Sequence, residues 1–389
     1  MQRRRKRLFI VIGSLVGVVV LLATGVIVYA RWRFDQIPKV SVAGLTARVG
    51  NDPFTVLLVG SDSRAFVSTA AQASQFGSAA AQTGQRSDVI ILARVAPALG
   101  EVQLMSIPRD TYVDIPGNVA NVSGDNRINT AFNSGPTLLV QTIEKSFHLQ
   151  INDYAEVNFP GFQGMVNAVG GIGLDFAYPV RDAYSDLNIP TTGCQLVSGA
   201  QALALVRSRH LYYYENGGWQ EDYGSDWSRI QRQDAFFRAL LPKLRTITTN
   251  PGALNSFLGA ATKNIAIDET ISESELLGLA RSLSGLSAGH FTSETLPTIP
   301  FTDSDGQDVL SPAPGPDEAM VKQFLAFGTS AAGASGSALG SNASPIKLTA
   351  ATVAGSGTTV TTVGGSSDPS GVVYNTMPEA WNPKPCTPK

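Results

Sequence analysis

Arginines and aspartates recur together just outside short apolar runs of this chain. Residues 54–59, Phe-Thr-Val-Leu-Leu-Val, exit into Gly60-Ser61-Asp62-Ser63-Arg64. Residues 89–93 are entered through Arg86-Ser87-Asp88, and residues 102–107 exit into Pro108-Arg109-Asp110-Thr111. The arginine fork suits bidentate contact with phosphate and stays charged at any relevant pH. Two carboxylates can share a hard divalent ion such as Mg²⁺, with phosphate oxygens completing its shell. If the three runs are neighbouring strands, their charged pairs meet at one sheet edge around a metal ion and a pyrophosphate. That is equipment for phosphoryl transfer, where positioning and charge stabilisation outweigh covalent protein chemistry.

Two later stretches extend the set. Arg207 and Arg209 are two apart and point the same way on an extended chain. Asp226, Arg229 and Gln233 fall at i, i+3 and i+7, with Arg232 beside Arg229, so they share one helix face. That face is expected to point away from most of the apolar stripe Phe237, Leu241, Leu244. In isolation the default reading is a solvated face capped by Asp226; the accumulation of arginines at element ends favours a site. Asp110 is expected to serve Arg109 as an ion-pair partner rather than as a general base. Competing chemistries lack parts. His148, His210 and His290 are scattered, which leaves no zinc site or Ser–His–Asp triad. No Gly-rich Walker loop is present, so a nucleotide is not indicated.

The elements that must position these side chains alternate between strand and helix signals. The pattern points to an α/β chain folded as a three-layer α-β-α sandwich. A helix is expected over 136–148, with Leu139, Ile143 and Phe147 on one face, preceded by Ile128-Asn129-Thr130-Ala131-Phe132. A strand is expected over 154–159, and a short helix from Pro160 stopped by Gly170-Gly171. Ser198 caps a helix over 199–206. A long helix runs from Asp226 to about 247, and weaker ones cover 272–286 and 320–327. Residues 31–52, broken by Pro38, Gly44 and Gly50, read as a stalk. The uncharged stretch 66–85 reads as a mobile loop or a plain spacer. Residues 328–389, rich in Gly, Ala, Ser and Thr, read as a flexible tail whose 347–362 segment could add an edge strand.

Charge and hydropathy set the topology. Residues 1–7 carry five of the 29 basic residues as a cytoplasmic basic tail, leaving 24 basic against 31 acidic groups elsewhere. A nucleic-acid binder would be basic in its folded part, so no nucleic-acid partner is expected. Residues 8–30 form an uncharged, mostly apolar run of 23, long enough to span a bilayer as a transmembrane signal anchor. The preceding basic cluster places the N-terminus in the cytoplasm and residues 53–327, the expected catalytic domain, outside the cell membrane. A seven-residue cytoplasmic tail holds no DNA-binding domain. In such an oxidising compartment the two cysteines, Cys194 and Cys386, either pair or stand as separate thiols.

The quoted motifs, together with Val206-Arg207-Ser208-Arg209 and residues 226–233, stand in the order found in the LytR-CpsA-Psr family, which the chain resembles from about 54 to 244. The resemblance implies a central mixed sheet and an Mg²⁺-dependent phosphotransferase of the cell envelope. Such proteins move a glycopolymer from a polyprenyl-pyrophosphate carrier onto peptidoglycan beside the lipid bilayer. By that likeness Asp62 and Asp88 match metal-linked aspartates. Arg86, Arg109, Arg207, Arg209, Arg229 and Gln233 match pyrophosphate-contacting positions, and Asp226 a supporting polar residue. Asp234 replaces the second glutamine often found after Gln233. The Ala/Gly-rich composition resembles actinobacterial members, which makes an arabinogalactan-type polymer on a decaprenyl carrier the expected substrate. Two rivals use the same residues: a pyrophosphatase acting on the carrier with water as acceptor, and a non-enzymatic receptor binding anionic polymer.

Overall fold

The computed structural model describes residues 28–29, 31–61, 87–117, 126–275, 278, 291–329, 349–351, 360–362 and 381–388. Strands β1 (Lys39–Val40), β2 (Phe54–Ser61), β3 (Ser87–Ala96) and β4 (Glu101–Ile107) come first. A 3₁₀ turn, Ile128–Ser134, leads into helix α1 (Pro136–Phe147). Then follow β5 (Asp153–Asn158), α2 (Phe159–Ala168), β6 (Ile172–Phe176), β7 (Val180–Asp182), β8 (Leu187–Ile189), β9 (Gly193–Val197) and α3 (Gly199–Arg207). After them come β10 (Tyr212–Glu215), β11 (Gly218–Glu221), α4 (Ser225–Thr249), α5 (Pro251–Asn264) and β12 (Ile265–Asp268). The chain continues through β13 (Phe291–Thr295), β14 (Thr298–Thr302), β15 (Asp308–Pro312) and α6 (Pro316–Ala326). Last are β16 (Thr349–Ala351), β17 (Val360–Thr362) and β18 (Lys384–Pro385).

The fold is α/β around a central mixed sheet ordered β1-β12-β5-β2-β3-β4-β13. β2 runs antiparallel to β3 and parallel to β5, and β4 runs parallel to β13. Period-two alternation divides the apolar strand residues between two faces. Leu57, Val59, Ile90, Leu92 and Met105 pack with Leu139 and Ile143 of α1 and Phe324 of α6. On the other face Val56, Ile91, Ala93 and Leu104 meet Phe237 and Leu241 of α4. The runs read as strands from their β-branched content are therefore covered on both sides, which is why they are apolar throughout.

Helix ends follow local chemistry. α1 stops where His148 turns left-handed at φ 50°. Ser198 caps α3 in a reciprocal box, its hydroxyl accepting from Gln201 N–H while Gln201 Oε1 accepts from Ser198 N–H. Gly199 lets α3 close on α2: a Cβ there would collide with the carbonyl of Gln163.

Three expectations need correction. Residues 31–52 are not a stalk: β1 pairs with β12 at the sheet edge, and Phe34 and Ile37 bury against Ile267 and Ile271. The breakers in that segment are turns between apolar anchors. Residues 328–389 are not uniformly a flexible tail either. Residues 381–388 return to the body, where β18 pairs with β6 and Cys386 is disulfide-bonded to Cys194. The pairing the sequence left open is thus present. A Cβ at Gly173 would collide with the Cys386 carbonyl, so glycine admits the returning strand. β16 and β17 pair with each other rather than extending another sheet. Residues 66–85 and most of 272–286 lie outside the described residues. Among those described, no helix is long and apolar enough to cross a membrane, and residues 8–27 and 30 of the expected span fall outside them.

Candidate active site

A cavity of about 430 Å³ opens between the ends of β2 and β3 and helices α2, α3 and α4. One part of its wall is apolar: Leu58, Val89, Ile91, Phe162, Met165, Phe236, Phe237 and Leu240 line it. At the other part stand Arg109, Arg207, Arg209, Arg229, Gln233 and His210. The cavity thus brings together four arginines of the expected set, Arg109, Arg207, Arg209 and Arg229, from three separate stretches of chain.

Helix α4 supplies both chemistries from one face: Phe237 of the expected apolar stripe joins Arg229 and Gln233 on the cavity, while Leu241 packs against the sheet. Arg229, Gln233, Phe236, Phe237 and Leu240 all line the cavity, because i, i+4, i+7 and i+11 nearly coincide on a 3.6-residue period. The face changes from guanidinium to aromatic over about 16 Å of helix. Arg229 is buried, and the Gln233 amide donates to the Val206 carbonyl at 3.1 Å, tying α4 to the last turn of α3. α4 begins at Ser225, so Asp226 belongs to its first turn rather than capping it.

Arg207, the last residue of α3, lies over the Phe159 ring with its guanidinium carbon 4.2 Å from the centroid. Beyond it the chain is pinned by Asp182, the fully buried final residue of β7. One carboxylate oxygen accepts from Ser208 Oγ at 2.7 Å and from the Arg209 and His210 N–H groups at 3.1 Å each. The other accepts from the Tyr184 and Ser185 N–H groups. Burial alone would raise this carboxyl; the Ser208 hydroxyl and the backbone donors outweigh it and hold Asp182 below the usual carboxylate range.

Arg232 braces the same loop from behind and makes no part of the cavity wall. It is fully buried, donating through Nη1 to Asp222 Oδ2 and Asn382 Oδ1 (both 2.8 Å) and through Nη2 to the Ser208 carbonyl (2.7 Å). Burial draws Arg232 below its ordinary value against the opposing pull of Asp222. The guanidinium keeps its charge, as arginine does in proteins.

Asp110 gathers a second group. Its carboxylate lies 3.5 Å from Arg109, 3.7 Å from Arg127 and 3.6 Å from Arg209. An ion-pair role for Asp110 agrees with this geometry, extended to three cations. The buried Ile128-Asn129 turn holds that loop in place: Ile128 N–H donates to Thr111 O and Asn129 N–H to Arg109 O. Arg127 escaped the sequence reading although it directly precedes a quoted motif. Asp182 carried no sequence signal beyond being a charged residue in an otherwise folded stretch, and Arg232, read with Arg229 as part of the arginine set, stands behind the cavity instead of in it.

Asp62 and Arg86 lie outside the described residues, as do the side chains of Asp88 and Asp226. Among described residues no cluster of metal-binding side chains occurs. The backbone pairs Ser61 with Ser87, and the register shifts between Gly60 and Ser61, so residue 88 is the extra residue of a β-bulge. Gly60 and Val89 on either side line the cavity. Residues 62 and 88 therefore adjoin, in sequence, the paired end of the strands that wall the site, and two carboxylates are the donor type Mg²⁺ takes.

Comparison with known proteins places this arrangement. The profile of the LytR_cpsA_psr family matches residues 30–316. The chain is 33% identical over 297 residues to the probable cell wall biosynthesis protein LcpB of Corynebacterium glutamicum, covering 76% of this chain and 66% of that one. It is 32% identical over 183 residues to a polyisoprenyl-teichoic acid–peptidoglycan teichoic acid transferase, TagU of Oceanobacillus iheyensis, covering 45% and 52% respectively. The chain thus spans between half and two thirds of the length of these curated relatives. Among solved structures it is similar to the LytR-Csp2A-Psr enzyme from Actinomyces oris, with TM-score 0.58 and 26% identity over 74% of this chain and 95% of that one. TagV of B. subtilis, at TM-score 0.54 and 23% identity over 72% and 99%, shows the same fold. With the profile running from the first strand of the sheet to the start of α6, the chain belongs to the LytR_cpsA_psr family.

Proposed function

We propose that this protein is a phosphotransferase that moves a glycopolymer from a polyprenyl-pyrophosphate carrier onto peptidoglycan. The observation that carries the reading is the single α4 face that turns from Arg229 and Gln233 to Phe236, Phe237 and Leu240 along one cavity. An amphiphile with a pyrophosphate head and an isoprenoid tail matches that sequence of surfaces. The apolar wall takes the first isoprene units; the arginines neutralise the pyrophosphate and orient it. A sugar hydroxyl then attacks the sugar-linked phosphorus, its proton passing to solvent. The bond from that phosphorus to the bridging oxygen breaks, and polyprenyl phosphate leaves.

Asp62 and Asp88 would hold Mg²⁺, which when bound neutralises phosphate charge. The apolar run 8–30 would anchor the chain in the cell membrane, with the cavity on the outer side. Support for that placement comes from Tyr29 and Trp32, exposed beside Arg31 and Arg33, the mix enriched at a membrane interface. The polymer is of arabinogalactan, teichoic-acid or capsule type. Names of relatives support the class of reaction, and the Ala/Gly-rich composition favours arabinogalactan.

A transfer assay with purified lipid-linked polymer tests this. Arg209→Ala should lower transfer by about 100-fold or more, as for loss of a transition-state charge contact, while the thermal midpoint stays near wild type. Full activity in that variant would overturn the reading. Product analysis with and without glycan acceptor separates transfer from hydrolysis. Asp88→Asn separates both from a metal-free receptor, whose polymer binding would persist.

A further inference from the structure

The second sheet, ordered β11-β10-β7-β8, begins at the arginine end of the cavity and carries an exposed row of aromatic rings. Along 211–214 the side chains alternate. Leu211 is buried in the second core, and Tyr213 turns inward to stack on Trp381 at 4.6 Å. Tyr212 and Tyr214 of β10 take the opposite side, and Tyr214 is exposed, as is His210 just before the strand. Tyr212 and Tyr214 stand about 7 Å apart along β10 at the rise of an extended chain, and His210 precedes them across a bend. The row starts at the cavity rim, where the Tyr184 and His210 rings lie 4.6 Å apart. At its far end Trp219 is directly opposite Tyr214 and meets it edge-on at 5.4 Å. Arg181, opposite Tyr212 on β7, stacks its guanidinium on the Trp219 ring at 3.9 Å and fixes the indole.

We infer that this sheet face is the acceptor track, binding a glycan strand of peptidoglycan so that a sugar hydroxyl reaches the phosphate end of the cavity. A pyranose has an apolar C–H face and a rim of hydroxyls. The row supplies rings for the first and, from Arg181 and Glu221 beside Tyr212, a fork and a carboxylate for the second. A bilayer is the wrong occupant, since lying on this face would bury both charges. Continuity decides the direction: Arg209 is one residue from His210, and Asp182, which fixes both amides, follows Arg181 on β7. The inference rests on the transfer reading of the cavity, which supplies the reason for an acceptor there.

Titration of the full chain with peptide-free glycan strands of alternating N-acetylglucosamine and N-acetylmuramic acid tests it. Binding is read by tryptophan fluorescence and calorimetry, with no donor present. Wild type should bind, and Trp219→Ala with Tyr214→Ala should weaken binding roughly tenfold or more, from lost apolar contact. Affinity for polyprenyl pyrophosphate, measured on the same double variant, should stay within about twofold, since neither ring lines the cavity. Equal loss of both ligands, unchanged glycan binding, or no glycan binding by wild type would each overturn the track. So would a wild-type dimer that the double variant abolishes, because the face would then belong to a second copy. Glycan binding lost in the double variant, without any transfer activity in wild type, would sink the phosphotransfer reading and leave a glycan-binding face that serves no acceptor step.

Discussion

Asn382 lies 150 residues beyond Arg232 and accepts a 2.8 Å hydrogen bond from its Nη1, inside a pocket with no solvent contact for the guanidinium. The bond reaches the arginine loop, because Nη2 of the same group holds the Ser208 carbonyl. Asn382→Ala removes an acceptor from a buried charged donor, a loss of about 1.5–3 kcal/mol. The thermal midpoint should fall by about 4–8 °C, and calorimetric binding of pyrophosphate should weaken. A variant with wild-type midpoint and affinity would show that the brace has no influence on the loop.

The Cys194–Cys386 disulfide closes 192 residues into one loop. Cross-links over long loops restrict the unfolded chain most, and losing one costs about 2–5 kcal/mol. Cys194→Ser with Cys386→Ser should lower the urea midpoint. Wild type in reductant should move to the same value. Identical midpoints with and without reductant would contradict this.

Asp182 gives a pH dependence with a defined sign. Its carboxyl sits below the usual range in the folded chain, so the ionised form contributes stability above the ordinary value of about 4 and loses it as pH falls through the folded value. Urea midpoints should therefore drop more steeply below about pH 4 in wild type than in Asp182→Asn. At neutral pH the variant should already be weaker by about 2 kcal/mol or more, from buried N–H groups left unpaired. Parallel acid profiles would show that Asp182 is not the group lost.

Asp110→Asn separates charge from geometry. Three guanidiniums stand within 4 Å of this carboxylate. Neutralising it raises the local positive potential while releasing the side chains from their common partner. Pyrophosphate affinity should tighten severalfold at low salt and lose that gain at high salt, while polymer transfer drops about tenfold or more as orientation is lost. Weaker pyrophosphate binding would mean that geometry dominates both.

The parts visible from sequence share one property: their cause is local. The helix over 136–148 follows from apolar spacing, the α3 cap from Ser198 and Gln201, and the meeting of Arg109 with Arg209 from charged residues placed just past the ends of β4 and α3. Periodicity reveals which residues share a side: it separates Leu241, on the sheet core, from Arg229 and Gln233, but that Phe237 and Leu240 line the cavity with them depends on where the helix packs. Arg232 was read with Arg229, but its bracing role gave no signal because its acceptors are Asp222 ten residues before it and Asn382 150 after it. Residues 328–380 between are compositionally simple, so nothing there announces that the chain returns. The 31–52 segment misled for a related reason: its glycines and proline stand out, whereas Phe34 and Ile37 bury against distant partners, Ala155, Ile265, Ile267 and Ile271.

The return of residues 381–388 also imposes an order on assembly. Arg232, which holds the Ser208 carbonyl, takes one of its acceptors from Asn382, a side chain translated long after the loop it steadies. A nascent protein that has already made Arg109, Arg207, Arg209 and Arg229 still lacks that strut. The cavity walls therefore precede, in synthesis, the contact that stiffens their cationic end.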